Sequence, residues 1–127
     1  MARIESFEEL EVWQLARELC LLVKKLSSKG PFLKDFKFSS QINSAVGSVM
    51  DNIAEGFERD GNKEFINFLY IAKGSNGEVR SQSYKALDWE YISPKEQSEV
   101  LTLTEKLKFK IQAFISVLKN SGFKGYK

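Results

Sequence analysis

The polar residues with the clearest chemical potential lie in the stretch "NIAEGFER", which runs from Asn52 to Arg59. Glu55 and Arg59 flank Gly56 and stand four residues apart, acid first, the favourable order for an ion pair along a helix. A glycine inside a helix costs about 1 kcal/mol relative to alanine, so this position needs a reason. The stretch indicates either a close-packed seam between two helices or a polar site shared with a second subunit.

The chain contains few of the residue types that catalytic sites use. The chain contains no histidine, which excludes Ser/His and Cys/His nucleophile pairs and the Glu-x-x-His ligands of di-iron bundles. The single cysteine, Cys20, stands at helical spacing with apolar residues, as a buried small hydrophobe does. A magnesium-dependent hydrolase is one hypothesis, with carboxylate ligands drawn from Asp51, Glu55, Glu58 and Glu78. Because no second paired-carboxylate motif lies at matching depth, the sequence favours a protein with no catalytic residues, metal or cofactor.

Basic residues are concentrated towards the C-terminus. Residues 61–127 hold eleven basic and seven acidic side chains, whereas residues 1–60 hold eight and ten. No acidic residue follows position 106, and the basic residues of this stretch are Lys106, Lys108, Lys110, Lys119, Lys124 and Lys127. These lysines form either a solvated face or a phosphate-contacting surface for RNA or DNA, whose affinity would fall with salt.

The periodicity of the apolar residues predicts an all-α protein. Apolar residues recur at steps of three and four, and no segment alternates as a strand. The predicted helices span about 6–27, 38–59, 62–90 and 94–120 of a single domain over residues 1–127, with a loose tail at 123–127. Capping boxes at Ser6 and Ser93 mark the first and last helix starts, and Gly30-Pro31 ends the first helix. Short connections favour an up-down-up-down antiparallel four-helix bundle.

The composition is typical of a soluble globular protein. The chain is 43% hydrophobic, with a net charge of +2, which suits one domain with one core. No apolar run approaches the roughly 18 residues of a membrane span, and no signal-peptide pattern opens the chain. The cytoplasm is therefore the expected compartment.

The second and third helices are predicted to form a tight hairpin about Gly61. Gly56 would then lie opposite Phe65, so that the missing side chain makes room for an aromatic ring. The expected seam or interface residues are Asn52, Glu55, Gly56, Arg59, Phe65, Gly74, Ser75 and Glu78. The chain has more large aromatic residues than the core of one small bundle must bury. Some of them are expected between subunits, and the candidates are Tyr70, Tyr84, Trp89 and Tyr91.

Three stretches together resemble a known family. They are "FEELEVWQLARELC", "NIAEGFERDGNKEFINFLYIAKGSNGEV" and "YISPKE". Their order and spacing resemble the bacterial four-helix bundle family associated with intervening sequences of 23S ribosomal RNA genes. They are similar also to the accessory variability determinant proteins of diversity-generating retroelements. The most specific part is Asn-Ile-Ala-Glu-Gly, followed by Glu64-Phe65 and by Ala72 to Ser75.

The resemblance implies a four-helix protomer that assembles as a homopentameric ring without enzymatic activity. The retroelement relatives bind nucleic acid and a reverse transcriptase through a basic surface, so RNA or DNA and a reverse transcriptase are the implied partners. For the intervening-sequence branch the implied biochemical role is unknown. The leading hypothesis is a non-enzymatic oligomer that binds RNA or DNA, and the alternative is a protein-interaction scaffold without nucleic acid.

Overall fold

Helices account for nearly all of residues 4–121, the part of the chain that the structure, a computed structural model, describes. They are α1 (Glu11–Ser27), α2 (Gly30–Lys34), α3 (Phe36–Glu58), α4 (Asn62–Asp88) and α5 (Pro94–Lys119). Within those residues there is no strand, and the predicted all-α class is confirmed. The four long helices pack as sequential neighbours, α1 with α3, α3 with α4 and α4 with α5, and α5 closes the bundle against α1.

The first long helix begins at Glu11, not at Ser6 as predicted. Phe7–Glu9 forms a separate 3-10 turn, and Leu10 then takes an extended conformation. The Glu9 carboxylate accepts a hydrogen bond from the Ser6 backbone N–H at 3.0 Å, so the predicted cap contact exists but caps this turn. The turn also lets the Phe7 ring pack on Trp13, with ring centroids 5.1 Å apart.

A short helix that the sequence did not predict follows α1. Gly30 has φ +62°, a conformation that favours glycine, and Pro31 occupies the first turn of α2. Proline ends α1 as expected, and its fixed φ also starts the next helix. Phe32 is thereby buried and stacks on Phe38 at 5.3 Å.

Caps and turns set the remaining helix ends. The Asp35 side chain accepts the Phe38 N–H at 3.1 Å, so α3 starts at Phe36, two residues before the predicted start. Gly61, with φ +85°, forms the tight turn between α3 and α4. At the start of α5 the Ser93 Oγ accepts the Glu96 N–H at 3.1 Å, and Glu96 accepts the Ser93 N–H at 2.8 Å.

Buried and partly buried polar contacts join α4 to α5. Asn76, which is 2% exposed, donates to the Thr104 carbonyl at 2.8 Å. Arg80 donates to the Leu101 carbonyl at 2.9 Å. Because buried polar groups need partners, these bonds favour one alignment of the two helices. In residues 4–121 no helix is long and apolar enough to cross a membrane.

Candidate functional site

Gly56, which the sequence singled out, lies in a close contact between α3 and α4. A Cβ at this position would lie 2.7 Å from the Phe68 Cβ and 3.0 Å from the Phe65 Cδ1. The structure therefore places Gly56 against Phe65, as the hairpin argument expected, and adds Phe68. Phe65 is 2% exposed and packs edge-on against Phe57. The glycine leaves room for two phenylalanines, which explains its place inside a helix.

Glu55 and Arg59 lie at the rim of this contact. The Arg59 Nη2 donates to the Glu55 Oε2 at 2.8 Å, and this hydrogen bond raises the pKa of the Arg59 guanidinium. The same guanidinium carbon lies 5.2 Å from the centroid of the Phe68 ring. Both side chains are about half exposed, so solvent screens the pair. This corner is a covered aromatic contact with a surface ion pair, and the charge of Glu64 also acts on Arg59.

A polar groove runs beside the seam, further from the Gly61 turn. The Ser48 and Ser75 hydroxyls are 2.9 Å apart across α3 and α4, and the Asn52 amide donates to the Ser48 Oγ at 2.9 Å. Glu78 is exposed and helps line the groove, which has a volume of about 530 Å³. Gly74 was expected in the seam but faces outward, and a Cβ there would meet nothing within 4 Å. Gly74 is exposed, although its neighbour Ser75 contacts Ser48 of α3.

The carboxylates proposed as metal ligands are not gathered. Asp51, Glu55, Glu58 and Glu78 are all exposed. Across residues 4–121 no three Asp, Glu or Cys side chains are grouped so that they could hold a metal ion. Cys20 is half-buried and donates to the Val46 carbonyl at 3.4 Å. Burial, and secondarily the charge of Asp51, raise the pKa of this thiol to about 11, which opposes formation of a thiolate nucleophile.

The C-terminal lysines do not form one surface. Lys110 pairs with Glu11 at 3.2 Å, towards α1, and Lys106 lines a groove between α1 and α5. Lys119 instead donates to the Tyr70 hydroxyl at 2.8 Å, towards α4. Lys108 lies 5.4 Å from the ring centroid of its neighbour Phe109. The predicted contacts Lys124 and Lys127, like the predicted tail, lie outside the described residues.

The antiparallel topology places acidic side chains at the same end of the bundle as two of these lysines, Lys110 and Lys119. It brings the end of α5 beside the start of α1 and beside the turn between α3 and α4. This end of the bundle consists of residues 4–14, 55–64 and 110–121, which together carry eight acidic and four basic side chains. Among the described residues, Lys110 and Lys119 therefore lie at an end of the bundle where acidic side chains outnumber basic ones.

The opposite end of the bundle carries the excess of positive charge, which the sequence argument missed. It consists of residues 24–37 and 85–99, with seven basic and five acidic side chains. Residues 24–37 alone contain five lysines and one acid. Counting charged residues in short windows along the sequence finds this lysine cluster. Comparing the two halves of the chain does not, because the first half also contains the acidic N-terminal residues.

The sequence matches a family model described as "23S rRNA-intervening sequence protein" over residues 8–113. The chain belongs to this family. The match covers the NIAEGFER stretch, YISPKE and most of α5, and it includes all of FEELEVWQLARELC except its first residue, Phe7.

A solved structure has the same fold as this chain. It is a protein of unknown function from the S23 ribosomal protein family of Bacteroides thetaiotaomicron. The TM-score is 0.75 at 21% identity, over 82% of this chain and 97% of the other. At this identity the likeness shows the fold alone. A search of curated proteins finds no significant match.

Proposed function

We propose that this chain is a non-enzymatic helical bundle that self-associates and binds RNA or DNA through exposed lysines. The observation that carries the proposal is the separation of charge between the two ends of the bundle. Acidic side chains outnumber basic ones at the end that holds the α3–α4 turn, and basic ones are in excess at the α2 end. Such a positive surface attracts phosphates without base-specific contacts. The cytoplasmic location expected from the sequence is compatible with a role in binding nucleic acid.

A gel-shift assay in a salt series tests this proposal. We expect binding at micromolar protein and low salt, with the affinity falling linearly in a double-logarithmic plot against salt concentration. Affinity that is independent of salt, or the absence of a shift at the lowest salt, would contradict it.

The outward face of α4 supports self-association. Positions 70, 74, 77, 81 and 84 recur at steps of four and three and hold Tyr, Gly, Gly, Ser and Tyr. Tyr70 and Tyr84 are 45% and 47% exposed, and a Cβ at Gly74 or Gly77 would meet nothing within 4 Å. A hollow between two exposed aromatics suits a helix of a second copy, since small residues allow close approach of backbones. The motif likeness to accessory variability determinant proteins is the ground for proposing a homopentamer, with a reverse transcriptase as a further partner.

Native mass spectrometry measures the oligomer directly. We expect five protomers, and Gly77→Lys should reduce the mass while circular dichroism retains the helical signal. A monomeric wild-type protein would overturn self-association, and an unchanged oligomer in Gly77→Lys would exclude this face as the interface.

A protein-interaction scaffold without nucleic acid is the second candidate. The groove between α1 and α5 favours it, because this groove has a volume of about 740 Å³ and is lined by Leu21, Leu22 and Leu103. Leu21 is 65% exposed. The scaffold predicts that Leu21→Ser leaves the oligomer intact and that the wild-type protein gives no gel shift at any salt concentration.

A further inference from the structure

The largest group of lysines within any fourteen consecutive residues of 4–121 lies where α1 ends, α2 turns and α3 begins. We call it the lysine edge, and its members, all exposed, are Lys24, Lys25, Lys29, Lys34 and Lys37. The one acidic residue among them is Asp35, and both of its oxygens are engaged. One accepts the Phe38 N–H at 3.1 Å and the other accepts the Tyr91 hydroxyl at 2.7 Å. Asp35 offsets one of the five positive charges, so residues 24–37 keep a net charge of +4.

The segment that faces the lysine edge, residues 85–99, carries four acidic and two basic side chains and so offsets part of this positive charge. Its Glu96 carboxylate lies 3.9 Å from Lys29 and also accepts the Ser93 N–H at 2.8 Å. Lys29 is the only member of the lysine edge with an ion pair in the described part of the chain. The other four lysines present their charge to solvent.

Helix dipoles do not account for all of these lysines. Lys24 and Lys25 lie in the last turn of α1, where a cation complements the partial negative charge of the helix end. Lys37, however, is the second residue of α3, and Lys95 is the second residue of α5. A cation in a first turn opposes the dipole, so these two positions lower helix stability slightly. A role in binding gives them a reason that helix stability does not.

Exposed aromatic rings accompany the lysines. Phe36 lies between Lys34 and Lys37 in sequence and is 76% exposed, the highest value among the large hydrophobic residues described. Two residues later Phe38 is buried, and its ring packs edge-on against the half-exposed Trp89 at 5.2 Å. The backbone that carries Phe36 is thus anchored, while its ring is left in water. An anchored ring beside lysines is the arrangement on which unpaired bases stack.

We infer that the lysine edge and Phe36 bind single-stranded nucleic acid, with lysines on the phosphates and a base stacked on the Phe36 ring. This inference rests on the nucleic-acid binding proposed above and assigns it to the α2 end instead of the C-terminal lysines. A single strand is favoured over a duplex because only an unpaired base exposes a face to Phe36. The phosphate and base chemistry is shared by RNA and DNA.

Fluorescence anisotropy with labelled single strands and a duplex of the same sequence tests the inference in a salt series. Lys34→Gln/Lys37→Gln should weaken single-strand binding about tenfold at low salt and reduce the salt slope by about 1.4, two contacts of about 0.7 each. Phe36→Ala should also weaken it about tenfold, with an unchanged slope and little effect on the duplex. Lys106→Gln/Lys108→Gln is the matched control, with the same loss of charge, and should stay within about twofold of wild type.

The outcomes separate this inference from the proposed function. If wild-type protein binds but only Lys106→Gln/Lys108→Gln weakens the complex, the proposed function stands and the assignment to the lysine edge is wrong. If wild-type protein binds neither the single strands nor the duplex at low salt, both the proposed function and this inference fail. If Phe36→Ala weakens single strand and duplex equally, stacking is wrong. Because the substituted side chains are exposed, circular dichroism of every variant should match the wild type.

Discussion

Replacing Gly56 with alanine tests the packing between α3 and α4 most directly. The new Cβ would lie 2.7 Å from the Phe68 Cβ, 3.0 Å from the Phe65 Cδ1 and 3.4 Å from the Phe65 carbonyl oxygen. The Phe68 Cβ is attached to the backbone and cannot rotate away. Relief therefore requires α4 to move relative to α3, which the close-packed seam resists.

Two opposing effects set the expected magnitude. Overpacking of a tight contact costs about 1–3 kcal/mol, whereas alanine in place of a helical glycine contributes about 1 kcal/mol of helix propensity. Gly56→Ala should therefore lose about 0–2 kcal/mol relative to wild type. Gly47→Ala is the matched control on the same helix, because a Cβ at Gly47 would meet nothing within 4 Å. The propensity effect is common to both variants, so their difference isolates the overpacking cost of about 1–3 kcal/mol.

Urea denaturation followed by circular dichroism measures this difference. All samples need one protein concentration, because self-association links stability to concentration. The corresponding difference in Tm is about 4 °C for each kcal/mol in a domain of this size. Equal stability of Gly56→Ala and Gly47→Ala would show that Gly56 is not required by Phe65 and Phe68, and the packing argument would fall.

Three further predictions concern caps and titrating groups. Ser93→Ala should lose about 1 kcal/mol in the same denaturation assay, because the Glu96 N–H loses its acceptor, and an unchanged midpoint would contradict this. Cys20, with its pKa raised to about 11, should react slowly with iodoacetamide at pH 8 in the folded protein and rapidly in urea; equal rates would refute its burial. The hydrogen bond to Asp35 raises the pKa of Tyr91 above 10.0, so the stability lost in Tyr91→Phe should be full below that pH and disappear as pH rises through the raised value. A pH-independent difference between Tyr91→Phe and wild type would exclude this linkage.

The packing of Gly56 was predictable because it depends on local spacing. A tight turn at Gly61 fixes which residues of α3 and α4 face each other near the turn, so Gly56 opposite Phe65 follows from counting residues. The count becomes less reliable with distance from the turn. Gly74 was placed in the seam by this reasoning, yet its angular position on α4 turns it outward. The contact with Phe68 was not predicted, because counting residues from the turn pairs each residue with one partner. It does not consider the neighbouring residues on the same face of the facing helix.

The candidate binding surface was not predictable in the same way. Lys106, Lys108 and Lys110 are close in sequence, but successive residues of a helix point in different directions. Lys110 accordingly meets Glu11 while Lys119 meets Tyr70. The sequence holds a larger lysine cluster at residues 24–37, but its net effect on the surface charge depends on which acids lie nearby in space.

The sequence by itself determined the helical class, the tight turn at Gly61 and the start of α5 at Pro94. These features follow from apolar periodicity and from side chains that cap their own backbone within a few residues. Only the tertiary structure decided the distribution of charge. Antiparallel packing places the acidic start of α1 beside the basic end of α5 and leaves the lysine edge at the other end of the bundle. Charge along a chain is a matter of composition, whereas the potential at a surface depends on which distant residues the fold brings together.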